Sequence, residues 1–276
     1  MSSRHLPAYG KTSKCKCLQG GIYLYRQFQE QAYGNDTYSG NIVLLDMRQG
    51  DVTGDGIVDY VYLYGRKNGE TEIFADQITL VIQNGRSKQI STINLQNNAG
   101  YNAQLFLGDF SNDNILDILV SIETGGSGGY GIFYIYSLRN NIPRLLFDVE
   151  KYNKSYTFKV NYEDFYKVTV GSPSLDLLFT LDISYKGYDY LTELYDENGK
   201  LKQPVKGEVL AAAAVYPIVT NGKSLNYDLL VLQRIIGTSN ADTLGYVENL
   251  LTWNGTQFIS TSLAIEIFGT KLSSTY

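Results

Sequence analysis

Gly50-Asp-Val-Thr-Gly-Asp-Gly-Ile-Val-Asp-Tyr-Val-Tyr62 is echoed by Gly108-Asp-Phe-Ser-Asn-Asp-Asn-Ile-Leu-Asp-Ile-Leu-Val120, 58 residues further on. That period suits one four-stranded antiparallel unit with its loops, and units of this kind bury their faces only against neighbours. In both copies an Asp-rich turn runs directly into a stretch of apolar, β-branched and aromatic residues. Such a stretch predicts a strand.

The strand pattern extends outward from the repeat. Asn41–Asp46, Tyr60–Tyr64, Gln77–Ile82, Ile132–Tyr136, Tyr166–Val170, Leu178–Asp182 and Leu229–Gln233 are short runs bounded by turn-forming residues. Between them stand the dipeptides Asn68-Gly69, Asn84-Gly85, Asn198-Gly199, Asn221-Gly222 and Asn254-Gly255. Asn-Gly supplies the two positive-φ positions of a type I′ hairpin, so antiparallel pairing is expected. The 24 tyrosines and 27 glycines against 5 prolines agree with a strand-and-turn chain. Gly20–Ala32 is the best helical candidate, and Ala211–Ala214 is too short to be one. The expectation is an all-β fold, with an N-terminal extension over 1–39 and a repeat domain over 40–276.

The repeated loop has the form D-x-[ST]-x-D-[GN]-x-x-D. Calcium takes six to eight oxygens at about 2.3–2.6 Å from a flexible loop. Alternate side chains of a tight loop point inward, so Asp51, Thr53, Asp55 and Asp59 can converge, as can Asp109, Ser111, Asp113 and Asp117. The carbonyls of Ile57 and Ile115 would add one oxygen to each set. Position 6 must turn sharply; Gly56 does so without steric cost and Asn114 is the next most tolerant residue. Three carboxylates within nine residues repel one another without a cation. The competing reading is a pair of Asp-rich β-turns, because these residue types populate turns for local reasons. No glutamate stands at loop position 12, which excludes an EF-hand.

These residues resemble the FG-GAP/VCBS repeats, together with Ala99–Asn102, Phe106–Phe110, Gly125–Gly129, Asp182–Gly187, Gln233–Gly237 and Leu244–Val247. The resemblance covers roughly Asn41 to Phe258. It implies a small β-propeller of four or five blades, with calcium in the inter-strand loops. It also implies a third acidic loop after Tyr216-Pro-Ile218. The segment Asn221–Asp228 keeps a single acid, so no third calcium site is assigned there.

Other chemistry is weakly represented. A net charge of -5 argues against nucleic acid as a partner. No apolar run is long enough for a membrane-spanning helix. Met1 is followed by basic residues without an apolar leader, which points to the cytoplasm or to a spore or cell surface reached by another route. Cys15 and Cys17 lack the further ligands that a zinc site requires, and His5 is the one histidine. Gly126–Gly131 matches G-x-G-x-x-G but precedes a strand, not the helix that would meet a pyrophosphate. Asp46, Glu123 and Glu163 are candidate acid–base carboxylates, with nothing to select a pair.

The function expected is a non-enzymatic calcium-binding module with an unidentified protein or glycan partner. Its alternatives are a carbohydrate-active hydrolase and a spore or cell-surface structural protein.

Overall fold

The structure, a computed structural model, describes residues 41–69, 71–222 and 226–269. The expected N-terminal extension, the helical candidate Gly20–Ala32, His5, Cys15 and Cys17 all lie outside the described residues. The chain is all-β, as the strand rhythm predicts.

The first sheet is a meander of β1 (Asn41–Gly50), β2 (Asp59–Lys67), β3 (Asp76–Gln83) and β4 (Ile90–Asn94). The second repeats it with β5 (Tyr101–Gly108), β6 (Asp117–Glu123), β7 (Gly131–Ser137) and β8 (Arg144–Asp148). A 3-10 turn over Arg139–Asn141 joins β7 to β8, and helix α1 (Val149–Ser155) follows β8. Asp148 caps that helix by accepting the Glu150 NH.

The chain then forms β9 (Lys159–Glu163), β10 (Lys167–Ser172), β11 (Leu177–Asp182) and helix α2 (Tyr188–Leu194). A second run of strands follows: β12 (Lys206–Ile218), β13 (Asp228–Ile236), β14 (Thr243–Trp253) and β15 (Phe258–Glu266). These seven strands make one sheet in the order β11-β10-β9-β12-β13-β14-β15. Its second half is a third four-stranded meander, joined to β9 through Lys206↔Asn161 and Gly207↔Val160.

The three sheets stack in chain order. Val61, Leu63, Ile78 and Leu80 of the first meet Ile118, Val120 and Ile122 of the second in one core. The opposite face of the second sheet offers Leu119, Phe133 and Ile135 to Ala212, Val215, Leu229 and Val231 of the third. The third sheet curls until Leu181 of β11 and Leu263 of β15 reach the same core, with Val168, Val170 and Ile235 at its centre. Burying each of these large aliphatic side chains contributes roughly 1.5–3 kcal/mol relative to exposure.

Helix α2 is tied across that core by polar contacts. Tyr190 donates to Asp242 Oδ2 (2.6 Å), its hydroxyl meets that of Tyr162 (2.6 Å), and Lys186 Nζ reaches Asp242 Oδ1 (2.7 Å). Burial raises the Asp242 carboxyl, but Lys186, Tyr190 and the Thr238 NH outweigh it and hold the group below its ordinary value.

Four or five separate blades do not follow from this topology. The region after Lys159 supplies strands of the expected rhythm, but β9–β11 add to the free edge of β12 and form no sheet of their own. The Asn-Gly turns differ from expectation too. Gly199 and Gly255 have φ of 71° and 96°, whereas none of the five asparagines has positive φ. The asparagine side chains do the turning: Asn84 Oδ1 accepts the NH groups of Arg86 and Ser87, and Asn254 Oδ1 those of Thr256 and Gln257. Such side-chain turns need no left-handed asparagine. Consecutive positive φ falls instead on Asn140 and Asn141 and on Phe165 and Tyr166, where the Phe165 NH donates to the Gly199 carbonyl (2.7 Å).

Candidate metal centre

Each of the two Asp-rich loops joins the first two strands of a meander. Gly50 pairs with Asp59 and Gly108 with Asp117. In the third meander Ile218 pairs with Asp228 at the same place. The sequence expectation for position 6 holds: Gly56 has φ +81° and Asn114 +63°. Position 4 is also left-handed, at Gly54 (+79°) and Asn112 (+59°), so the two loops share a path that the sequence reading did not anticipate in full.

The first aspartate of each loop binds the turn. Asp51 accepts the NH groups of Gly54 (2.7 Å) and Gly56 (2.8 Å), and Asp109 those of Asp113 (3.2 Å) and Asn114 (2.8 Å). The position-5 carboxylates take the NH two residues on, Ile57 for Asp55 and Ile115 for Asp113. The ninth-position aspartates are buried and close the loop base. Asp59 Oδ2 accepts from Val52 and Thr53, and Asp117 Oδ2 from Phe110 and Ser111, at about 3 Å.

The loops diverge in their remaining oxygens. Asp59 Oδ1 accepts the Gly85 NH (2.8 Å), and Thr53 Oγ1 and Asp55 Oδ2 both receive the Asn84 amide (3.2 and 3.3 Å). Arg86 adds an ion pair to Asp55 (3.4 Å) and a bond to its carbonyl. Partial burial raises the Asp55 carboxyl, yet the Ile57 NH, Asn84 and Arg86 together hold it below the usual carboxylate range. In the second loop, Asp117 Oδ1 and Ser111 Oγ are buried atoms with no hydrogen-bond partner among the described residues. Burial pushes the Asp117 carboxyl up to about 6, against the Phe110 and Ser111 NH groups that pull it down. The hydroxyls of Ser111 and Ser137 face the carboxylate and also pull it down, but neither reaches Oδ1 with the distance and angle of a well-formed hydrogen bond. Asp113 Oδ2 has only the exposed Arg139 guanidinium, at 3.3 Å.

Among the described residues, no three His, Cys, Asp or Glu side chains converge on one point. A cation must therefore be fitted loop by loop. The first loop fits poorly, since Asp59 Oδ1, Thr53 Oγ1 and Asp55 Oδ2 all have protein donors. The second fits, because an orphaned carboxylate oxygen and an orphaned hydroxyl at positions 9 and 3 lack the positive partner that burial demands. What separates the loops is the residue after the third strand of each meander. Asn84 and Gly85 supply donors to the first loop, whereas the Ser137 region supplies Asp117 a hydroxyl alone, which leaves Oδ1 without a well-formed hydrogen bond.

The loops also touch one another. The Leu116 NH donates to the Asp51 carbonyl (3.3 Å) and the Tyr227 NH to the Asp109 carbonyl (2.8 Å). A Cβ on Gly50 would stand 2.6 Å from Leu116, and one on Gly108 2.6 Å from Tyr227. The first two meanders thus each seat on a glycine the residue that precedes Asp117 or Asp228 at the start of the next meander's second strand. The turn over Arg139–Asn141 spans both loops, since the Asn140 NH donates to the Thr53 carbonyl (2.9 Å) while Arg139 holds Asp113.

The acid–base candidates are dispersed. Asp46 stands on the first sheet, where it accepts the Leu105 NH (2.8 Å) and an Arg48 nitrogen; Glu123 is on the second and Glu163 on the third. Residues Gly126–Gly131 lead into β7, so the glycine-rich stretch is a strand connection.

Comparison with known proteins decides the ancestry. The chain is 42% identical over 225 residues to YybI of Bacillus subtilis (strain 168), covering 82% of this chain and 85% of that protein. The chain belongs to the YybI family. The YybI C-terminal domain is the family matched over residues 156–266, which is the span of the seven-stranded sheet. No solved structure matches the chain. The resemblance to FG-GAP/VCBS repeats is corrected by these findings, because no family of that kind matches. The physical reason lies in the motif itself. Nine residues of Asp, Gly, Asn and Ser solve a local hairpin problem, with side chains accepting backbone NH groups, and unrelated chains reach the same solution. In this YybI-family chain, no described helix is long and apolar enough to cross a membrane.

Proposed function

We propose that this chain is a non-enzymatic calcium-binding module in which the second Asp-rich loop, Asp109–Asp117, holds the ion. The observation that carries the reading is the buried, unpartnered pair Asp117 Oδ1 and Ser111 Oγ. Asp109, Asp113 and the Ile115 carbonyl would complete an oxygen set suited to a hard cation. The exposed Arg139 side chain would leave Asp113 as the ion entered. In this reading the first loop, Asp51–Asp59, is a metal-free counterpart with Asn84 and Arg86 in place of a cation. The ion would stiffen the junction between the second and third sheets, because the Asp109 carbonyl accepts the Tyr227 NH.

The finer architecture belongs to the same proposal. The meanders β1–β4, β5–β8 and β12–β15 are read as three propeller-like blades, with β9–β11 and α2 inserted before the third. The equivalent pairs Gly50–Asp59, Gly108–Asp117 and Ile218–Asp228 support that reading.

Calcium titration calorimetry on chelator-treated protein tests the function. One site is expected, in the weak range of about 10⁻⁵–10⁻³ M given three carboxylates. It should be lost in Asp113→Asn and retained in Asp55→Asn. Absence of binding heat and of any melting shift up to millimolar calcium would overturn the proposal, as would binding that survives Asp113→Asn.

A further inference from the structure

Between strand β12 and the face of the second sheet that meets the third lies an open cleft of about 410 Å³. Its polar wall is a row of three side chains already bonded to one another. Gln104 Nε2 donates to Asn102 Oδ1 (2.7 Å), and Asn102 Nδ2 donates to Glu123 Oε1 (2.8 Å). Asn102 holds a left-handed backbone, with φ +46°, at the bulge where the β5–β6 register shifts between Tyr101 and Gln104. Such bulges re-aim a side chain, and asparagine is the residue after glycine that best tolerates the left-handed backbone required here.

The floor and the far wall are of a different kind. Phe106 and the largely buried Phe133 line the apolar floor, and Tyr216, about half exposed, presents the accessible ring on the β12 side. Phe133 lies across Gly131, where a Cβ would come within 2.3 Å of the ring. Opposite, β12 presents Ala213 and Ala214 beside register shifts between Val209 and Ala212 and between Ala212 and Ala214. The small side chains of this alanine run keep the space open. Arg48 completes the lining, its Nε held by the Leu105 carbonyl (3.0 Å).

We propose that this cleft binds a carbohydrate. Aromatic rings suit the apolar face of a pyranose. Planar amides and a carboxylate, fixed in advance by their own hydrogen bonds, suit its equatorial hydroxyls. Charge does not select an anionic ligand, because Arg48 is already paired with Asp46 (2.8 Å) and the one carboxylate among the lining residues, Glu123, accepts the Asn102 amide. Glu123 is the one carboxylate among the residues that line the cleft, so the Asn102–Glu123 pair is read as orienting a ligand, not as the two-carboxylate pair that glycoside hydrolysis requires. This site is separate from the Asp109–Asp117 loop and stands whether or not that loop holds an ion.

The test is saturation-transfer NMR and calorimetry with glucose, galactose, N-acetylglucosamine, cellobiose and chitobiose, in calcium and in chelator. At least one of these sugars should bind at millimolar concentration or better. Glu123→Gln and Asn102→Ala should each weaken it about tenfold, in keeping with loss of a hydrogen bond to a charged group. Ala214→Phe should abolish binding by filling the cleft, and Tyr216→Ala, a substitution at an exposed residue, should weaken it without changing the melting temperature. Failure of every sugar to bind would overturn the proposal. So would sugar binding that is indifferent to Glu123→Gln and Ala214→Phe, or selective binding of charged peptides in place of sugars.

Discussion

Asp59 and Asp117 occupy the same ninth position of two equivalent loops, yet only Asp117 keeps a carboxylate oxygen without a hydrogen-bond partner among the described residues. Asp59 spends its second oxygen on the Gly85 NH; Asp117 meets no such donor. One inter-strand donor therefore separates a self-contained turn from a loop that lacks a positive partner.

That difference gives a pH signature in ion-free protein. The folded-state pKa of Asp117 is raised to about 6 from an unfolded value of 3.8. The folded chain thus holds the proton more tightly, so this group's contribution is fully present below pH 4 and is lost as pH rises through 6. The shift corresponds to roughly 3 kcal/mol. Urea melts in chelator between pH 4 and 7 should reveal the loss, and Asp117→Asn should flatten it. A parallel pH dependence in the variant would refute the assignment.

Calcium should reverse the penalty. At a hundredfold excess over its dissociation constant, the ion should stabilise the fold by about 2.7 kcal/mol. Scanning calorimetry at pH 7 with and without calcium checks this, and the gain should shrink below pH 6 as Asp117 takes up its proton.

Arg139 competes with the cation for Asp113. Its ion pair is exposed, so its worth is at most about 1 kcal/mol. Arg139→Ala should tighten calcium binding by about two- to fivefold in calorimetry. An unchanged or weaker affinity would show that the guanidinium does not guard the site.

The cluster around Asp242 responds to acid in the opposite sense. Its folded-state pKa lies below the ordinary value, so its contribution is present above about pH 4 and is lost as pH falls through the folded pKa. Tyr190→Phe removes a hydrogen bond to a charged group and should cost about 1.5–3 kcal/mol near neutrality. Denaturant melts at pH 7 and pH 3 should show the cost shrinking at the lower pH.

Gly85 faces the backbone of the first loop, where an added Cβ would lie 2.0 Å from the Val58 carbonyl oxygen. Gly85→Ala must displace main chain and disturb the Gly85 NH bond to Asp59. Thermal melting of this variant should fall by several degrees, whereas Gly69→Ala, where a Cβ meets open space, should leave it nearly unchanged.

The strands were legible because their signal is local. Tyr60–Tyr64 and Gln77–Ile82 lie inside β2 and β3, and the turn at Gly56 and Asn114 follows from residue type alone. What escaped the sequence depends on distant partners. Nothing near Asp117 announces that Ser137 will bring a hydroxyl without a well-formed bond to Oδ1, where Asn84 and Gly85 make three hydrogen bonds. Nor does the rhythm of Lys159–Asp182 reveal that these strands extend an existing sheet, because the Lys206↔Asn161 pairing joins segments far apart in the chain. The aspartate motif described a turn correctly and ancestry wrongly, since nine residues encode geometry more firmly than descent.

The sheet that spans the YybI C-terminal domain contains all seven of its own strands, but its wall is not its own. Ala212, Val215, Leu229, Val231 and Leu251 are buried against Phe110, Leu119, Phe133 and Phe147, all of which precede Tyr156. Excised at that boundary, the fragment would carry every strand it needs and a bare apolar flank. Its solubility, more than its secondary structure, would register the missing half.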